Sequence, residues 1–189
     1  MPQKSPLWIL TALFLVFFLP ILAAWIFVDK GIWPFGRVNQ GILFSKPIPL
    51  NSLSLKKVDG QPFLWKNNSK KWWVVYITPL PCDAACQDTL YKMHQLRIAL
   101  NQHQDNLTPV VFTYSPLNST NAALLKTEAY FVKRDELIQV LPVSATTLAQ
   151  GYLLIVDPNH LAILGYNQMG TGDGILKDLK RLMRVEDLR

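Results

Sequence analysis

The order of apolar and polar positions divides the chain near its start. From Leu7 to Val28 runs an uncharged stretch, LWILTALFLVFFLPILAAWIFV. As a helix it would be about 33 Å long, enough to cross a hydrocarbon core of about 30 Å. Trp8 lies near one end and Trp25 and Trp33 near the other, where interfacial aromatics belong. Pro20 falls inside the run, and membrane helices tolerate such a kink. A cleaved signal peptide is the competing reading, because Leu22-Ala23-Ala24 offers small residues. The apolar core of such a peptide is usually about 7–15 residues, and here apolar residues continue past that point. An uncleaved anchor over residues 1–28 is expected.

The next stretch, 29–50, carries Gly31, Pro34, Gly36, Gly41, Pro47 and Pro49. That is the composition of a linker with short extended pieces, and Ile42, Leu43, Phe44 and Ile48 suggest that it lies along the following domain, residues 51–189. Leu53–Leu55 and Phe63–Trp65 read as short strands around an Asp59-Gly60 turn. Trp72 to Thr78 is β-branched, aromatic and nearly continuous, the pattern of a central buried strand. A helical pattern follows to about Gln102. Val110–Tyr114 reads as a second buried strand, Asn121–Phe131 as a helix, and 133–143 is open. Tyr152–Val156 is a third strand; Asp157-Pro158-Asn159 can turn the chain, returning Leu161–Tyr166 antiparallel beside it. Asp173 can cap a last helix, Ile175–Arg184, with Ile175, Leu176, Leu179, Leu182 and Met183 on one face.

Composition changes this picture little. The 189 residues carry a net charge of +6, with a pI near 9.4. The basic residues are scattered, with no stripe interleaved with aromatics and no nucleic-acid motif. A solvated basic surface is the first reading, and attraction to anionic lipid headgroups the second. Gly170–Gly174 before the last helix lacks the Gly-Lys-Ser/Thr element of a phosphate loop and reads as a turn. No Ser/His/Asp constellation or zinc-spaced cluster is present.

The candidate chemistry sits in the two cysteines, Cys82 and Cys86, just after the strongest strand and at the start of a helix. If Asp83 begins that helix, Cys82 is its N-cap and Cys86 lies one turn in. Residues four apart share a helical face; a disulfide between them requires Cys82 in a non-helical cap conformation, which Pro79 and Pro81 favour. Unpaired N–H groups at a helix start stabilise thiolate, which is both the redox nucleophile and the soft ligand for copper. The competing reading is a plain disulfide or two buried thiols. A bridge closing so short a loop removes little chain entropy, which weakens it.

The order of strands and helices is that of an α/β, thioredoxin-like domain, here behind an N-terminal transmembrane helix. Val75-Tyr76-Ile77-Thr78 followed by Cys82-Asp83-Ala84-Ala85-Cys86 resembles the strand and CxxxC motif of the Sco family, and Leu154 to Asn159 resembles that family's later strand and Asp-Pro turn. The likeness is closer still to a small group of bacterial membrane proteins of the same fold, associated with oxidase assembly. These carry Cys-Asp-Ala-Ala-Cys and a C-terminal Leu-Lys-Asp-Leu-Lys-Arg-Leu, here Leu176–Leu182. The resemblance implies a single-pass protein of the bacterial inner membrane with a periplasmic domain. Cys82 and Cys86 would be a redox pair or copper ligands serving cytochrome c oxidase biogenesis, with an oxidase subunit or assembly factor as partner. A general thiol–disulfide oxidoreductase and a non-catalytic assembly partner are the alternatives.

Two features depart from that pattern. Lys4 alone precedes the span while Lys30, Arg37 and Lys46 follow it, so the charge count does not favour an outside domain; that orientation is implied by the thiol pair and the resemblance. Sco proteins also supply a histidine as third copper ligand, at a position that falls near Ala149-Gln150. None stands there. His94 is about 12 Å along the helix from Cys86; His103 is farther, and His160 follows the Asp-Pro turn. All three read as surface histidines.

Overall fold

The structure is a computed structural model, described for residues 6–29, 40–65, 71–167 and 172–186. Trp33, Gly170 and Thr171 lie outside those residues. The chain forms two compact units, one up to Val38 and one from Asn39 onward. Among its described residues the first holds one helix, α1 (Pro6–Asp29), which runs through Pro20 unbroken. Its segment Leu7–Phe27 has a mean hydropathy of 2.6 and buries none of its most apolar stretch within the protein. By length and composition it is a candidate membrane span.

The second unit is built on a six-stranded mixed sheet in the order β1-β6-β5-β2-β3-β4. β2 (Trp72–Ile77), at the centre, pairs parallel with β3 (Leu107–Thr113) and antiparallel with β5 (Tyr152–Val156). All six of its residues are buried, as a strand covered on both faces and both edges must be. β3 pairs parallel with β4 (Glu128–Phe131), and β5 antiparallel with β6 (Leu161–Tyr166). Alternate residues feed two cores. Val74, Tyr76, Val111, Leu153 and Ile155 meet α2 (Ala84–Ala99) and α6 (Asp173–Glu186) on one face. On the other, Val75, Ile77, Phe112 and Leu154 meet Leu50, Leu53 and Leu55, together with Leu137 of α4 (Arg134–Val140) and Leu148 of α5 (Ala145–Ala149). The thioredoxin-like arrangement anticipated from the sequence is thus present.

Four local expectations are corrected. The expected linker contains an edge strand, β1 (Ile42–Pro49), which pairs antiparallel with β6 from Ile42 opposite Gly165 to Pro49 opposite Leu161. Its prolines concealed it: Pro47 and Pro49 lack donors, but an edge strand needs them on one side only, and the register shifts between Leu43 and Ile48. The helix expected over Asn121–Phe131 is α3 (Ser119–Leu125), followed by β4. Lys126 at φ 50° ends the helix, after which Ala129 and Tyr130 bury on the sheet. Leu53–Leu55 and Phe63–Trp65 are not strands. They are tied by hydrogen bonds from Phe63 N to Leu55 O and from Trp65 Nε1 to Leu53 O, and Lys56 forms isolated bridges to both Pro62 and Phe131 of the edge strand β4. Finally, Asp173 is the first residue of α6, not its cap; Leu176 N donates to Gly172 O, placing the cap one residue earlier.

Candidate functional site

β2 ends at Ile77, and Thr78 continues its pairing through a bond from its N–H to Phe112 O at 3.0 Å. The chain then breaks at Pro79, where the ladder can gain no donor. Leu80 N donates to Ser115 Oγ at 2.9 Å, and Ser115 N donates to Thr113 Oγ1 at 3.2 Å. The segment leading to the cysteines is thereby tied to the end of β3. A cis bond joins Leu80 to Pro81, directly before Cys82.

Cys82 and Cys86 form a disulfide with their Cα atoms 5.3 Å apart. The cap of α2 is Asp83, not Cys82 as expected: its extended backbone (φ −78°, ψ −176°) and its Oδ1, which accepts from Cys86 N at 2.8 Å, begin the helix. Aspartate is among the best N-caps and cysteine is not, so the helix starts one residue later than the cysteine spacing suggested. Cys82 therefore stands just outside the helix, in the extended stretch that lets its sulfur reach Cys86. The two sulfurs are unequal. Cys86 is 3% exposed and packs with Leu90, Met93 and Val74 in the core, whereas Cys82 is only half-buried against its rim.

Strand pairing fixes what else reaches this end of the sheet. Ile77 lies opposite Tyr152, so the residues before β5 stand beside the end of β2. Ala149 and Gln150, where the family histidine would fall, are at that end, and neither can ligate as an imidazole does. Gly151, at φ 92°, lies so close to the Tyr76 hydroxyl that a Cβ could not be accommodated. Trp73 lies opposite Val156, so His160, beyond β5, is at the other end of the sheet. His94 Nε2 lies 2.9 Å from Thr127 Oγ1, and His103 sits in the 3-10 turn 101–106 after α2. Among the described residues no group of three His, Cys, Asp or Glu side chains is placed to hold a metal. The residues present offer two sulfurs and the neighbouring Asp83 carboxylate, and do not fit a two-cysteine, one-histidine centre.

His160 corrects a further expectation, because it is not a free surface residue. Its ring packs against Trp65 and Trp73, with centroids 5.0 and 5.5 Å away, at φ 63°. Its Nε2 is buried without a hydrogen-bond partner. Burial pushes its pKa below the usual value, and the Asp157 carboxylate partly offsets this. Sequence reasoning also missed Asp178. This buried residue of α6 accepts from Tyr166 Oη (2.7 Å), Gln40 N (2.9 Å) and Gly41 N (3.2 Å) through Oδ2. Its position, one turn after Ile175 and beside Leu179 on the apolar face, was the available signal.

A family model described as transmembrane-like, thioredoxin-like, C-terminal domain matches residues 72–186. The chain belongs to this family. No curated protein matches the sequence. Three solved structures resemble the thioredoxin-like domain. A DsbF homologue from Corynebacterium diphtheriae has a TM-score of 0.54 at 15% identity, covering 79% of this chain and 96% of its own. A SCO1/SenC family lipoprotein from Bacillus anthracis has a TM-score of 0.50 at 16% identity, covering 74% and 99%. A thiol:disulfide interchange protein from a Bacteroides species has a TM-score of 0.50 at 12% identity, covering 77% and 91%. At these identities the likeness is one of fold.

Proposed function

We propose that this is a single-pass protein of the bacterial inner membrane, held by α1, whose periplasmic thioredoxin-like domain supports cytochrome c oxidase biogenesis by reducing a partner's cysteines. The observation that carries this reading is the Cys82–Cys86 disulfide at the start of α2, with Cys82 half-buried at the rim of the core and Cys86 within it. In the reduced protein the Cys82 thiolate attacks a partner disulfide, forms a mixed disulfide and releases one partner thiolate. The Cys86 thiolate then attacks Cys82 Sγ, releasing the second partner thiolate and closing the Cys82–Cys86 bond. Two electrons pass to the partner, and an upstream dithiol restores the pair.

Copper handling on the same sulfurs is the second reading, supported by the Sco-like motif. Copper would be cargo, taken as Cu(I) by two thiolates, the soft ligands that ion prefers. The lack of a third ligand at Ala149-Gln150 favours the first reading. The deciding experiment is the reduction potential of the cysteine pair in the full-length protein. Exchange chemistry predicts a value between about −300 and −120 mV, and a lower one marks a structural disulfide and overturns the exchange reading. Stoichiometric, Cys82-dependent Cu(I) binding by the reduced protein would turn the assignment to copper.

A further inference from the structure

We infer that α6 is a lipid-docking surface: Lys177, Lys180, Arg181 and Arg184 lay the domain against anionic headgroups of the membrane that holds α1. These residues recur at helical spacing along one side, and all four are exposed. The opposite side, Ile175, Asp178, Leu179 and Met183, is buried. The stripe is therefore rigidly mounted on the domain. Among the described residues none of the four forms a salt bridge; the ion pairs present are Lys92–Asp88 and Arg97–Asp105, on α2 and the turn after it. Exposed Asp173 lies one turn before Lys177, and Glu186 follows Arg184 by two residues in the sequence.

Lipid is favoured over an acidic protein by where the chain enters the domain. Gln40 and Gly41 donate to Asp178 of α6 itself, and the Gln40 side chain lies against Gly174. Only residues 30–39 separate that point from the end of α1. Fully extended, they reach about 40 Å, so the base of the stripe is confined near the bilayer at high effective concentration. Each exposed cation at an anionic surface gains a modest attraction, and four in a row sum to a defined orientation. α2, which begins just after Cys82, covers the same face of the sheet as α6. The inference rests on α1 spanning the membrane, but not on the chemistry assigned to the cysteines.

The test uses the full chain in nanodiscs of phosphatidylglycerol mixed with phosphatidylcholine, or of phosphatidylcholine alone. Lysine acetylation is followed by mass spectrometry, with Lys56 and Lys57 beside the far edge strand β4 as internal controls. In the anionic discs Lys177 and Lys180 should be acetylated about fivefold more slowly than in neutral discs. The protection should vanish at about 1 M salt, where the screening length is near 3 Å, and should weaken in the R181Q/R184Q variant. Equal rates in the two lipids overturn the docking surface while leaving the anchor intact. Protection in both lipids means a protein covers α6, which also overturns it. Failure of the chain to enter either disc refutes the anchor and the docking together.

Discussion

Tyr166 donates a 2.7 Å hydrogen bond to Asp178, and the same carboxylate oxygen accepts the backbone of Gln40 and Gly41. Three elements distant in sequence (the entry to β1, the end of β6 and the middle of α6) converge on one buried oxygen. The contact explains why an aspartate sits on the apolar side of a helix. It organises the point at which the chain enters the domain.

Replacing Asp178 by alanine would leave two buried donors, Tyr166 Oη and Gly41 N, and the part-buried Gln40 N without this acceptor. We expect a loss of about 3 kcal/mol in urea-monitored stability, against about 1.5 kcal/mol for Tyr166→Phe, which removes one bond to the carboxylate. The two are members of one network, so the double variant should lose less than the sum, by more than about 0.5 kcal/mol. Strict additivity would show that the network is not energetically coupled.

The same contact makes stability depend on alkaline pH. Burial, and then the bond to and charge of Asp178, raise the Tyr166 pKa well above the ordinary tyrosine value. The unfolded chain therefore releases this proton first, near pH 10. The contribution of Tyr166 is complete below about pH 10 and is lost as pH rises above it. Melting temperatures between pH 8 and 11 should fall less steeply for Tyr166→Phe. Part of the fall should remain, because burial and Glu128 also raise Tyr130. Identical slopes in the two proteins would contradict the assignment.

The parts of the fold legible in sequence were those where burial is complete. β2, β3 and β5 are buried on both faces and are written as near-continuous apolar runs, so their existence could be read directly. β1 and β4 are the edges of the sheet. Pro47 and Pro49 are tolerated in the first because an edge is only half-paired, and four residues are too few for a period in the second. At the site, the cysteines announced themselves by spacing. Asp83 did not, although aspartate three residues before a helical N–H is a capping pattern. Asp178 and His160 were hidden because their surroundings come from distant parts of the chain: β1 and β6 for one, Trp65 and Trp73 for the other.

His160 should make the domain sensitive to mild acid. Its imidazole packs at a steep angle against the Trp65 and Trp73 rings, with an unpartnered Nε2, and burial lowers its pKa. The unfolded chain takes up this proton first, so the stabilisation is complete above about pH 6.5 and falls as pH drops below that value. His160→Phe keeps an aromatic ring beside Trp65 and Trp73 but cannot titrate. Its stability should be flatter between pH 7 and 5 by urea denaturation, and an unchanged acid slope would assign the dependence elsewhere.

Asp83 links the fold of the site to its reactivity, and two substitutions separate those roles. Asp83→Ala removes the bond to Cys86 N and should cost about 1 kcal/mol. Asp83→Asn keeps a competent cap, so its stability should stay within a few tenths of a kcal/mol of the parent. It also removes a negative charge from the residue that follows Cys82 and accepts from Cys86 N, at a helix start where thiolate is otherwise favoured. In the reduced protein, iodoacetamide should label half-buried Cys82 about tenfold faster than core-packed Cys86. Asp83→Asn should then speed Cys82 labelling at neutral pH without altering that order. If Cys86 reacted as fast as Cys82, the unequal exposure seen in the disulfide would not persist on reduction. The division into an attacking and a resolving cysteine would then fail.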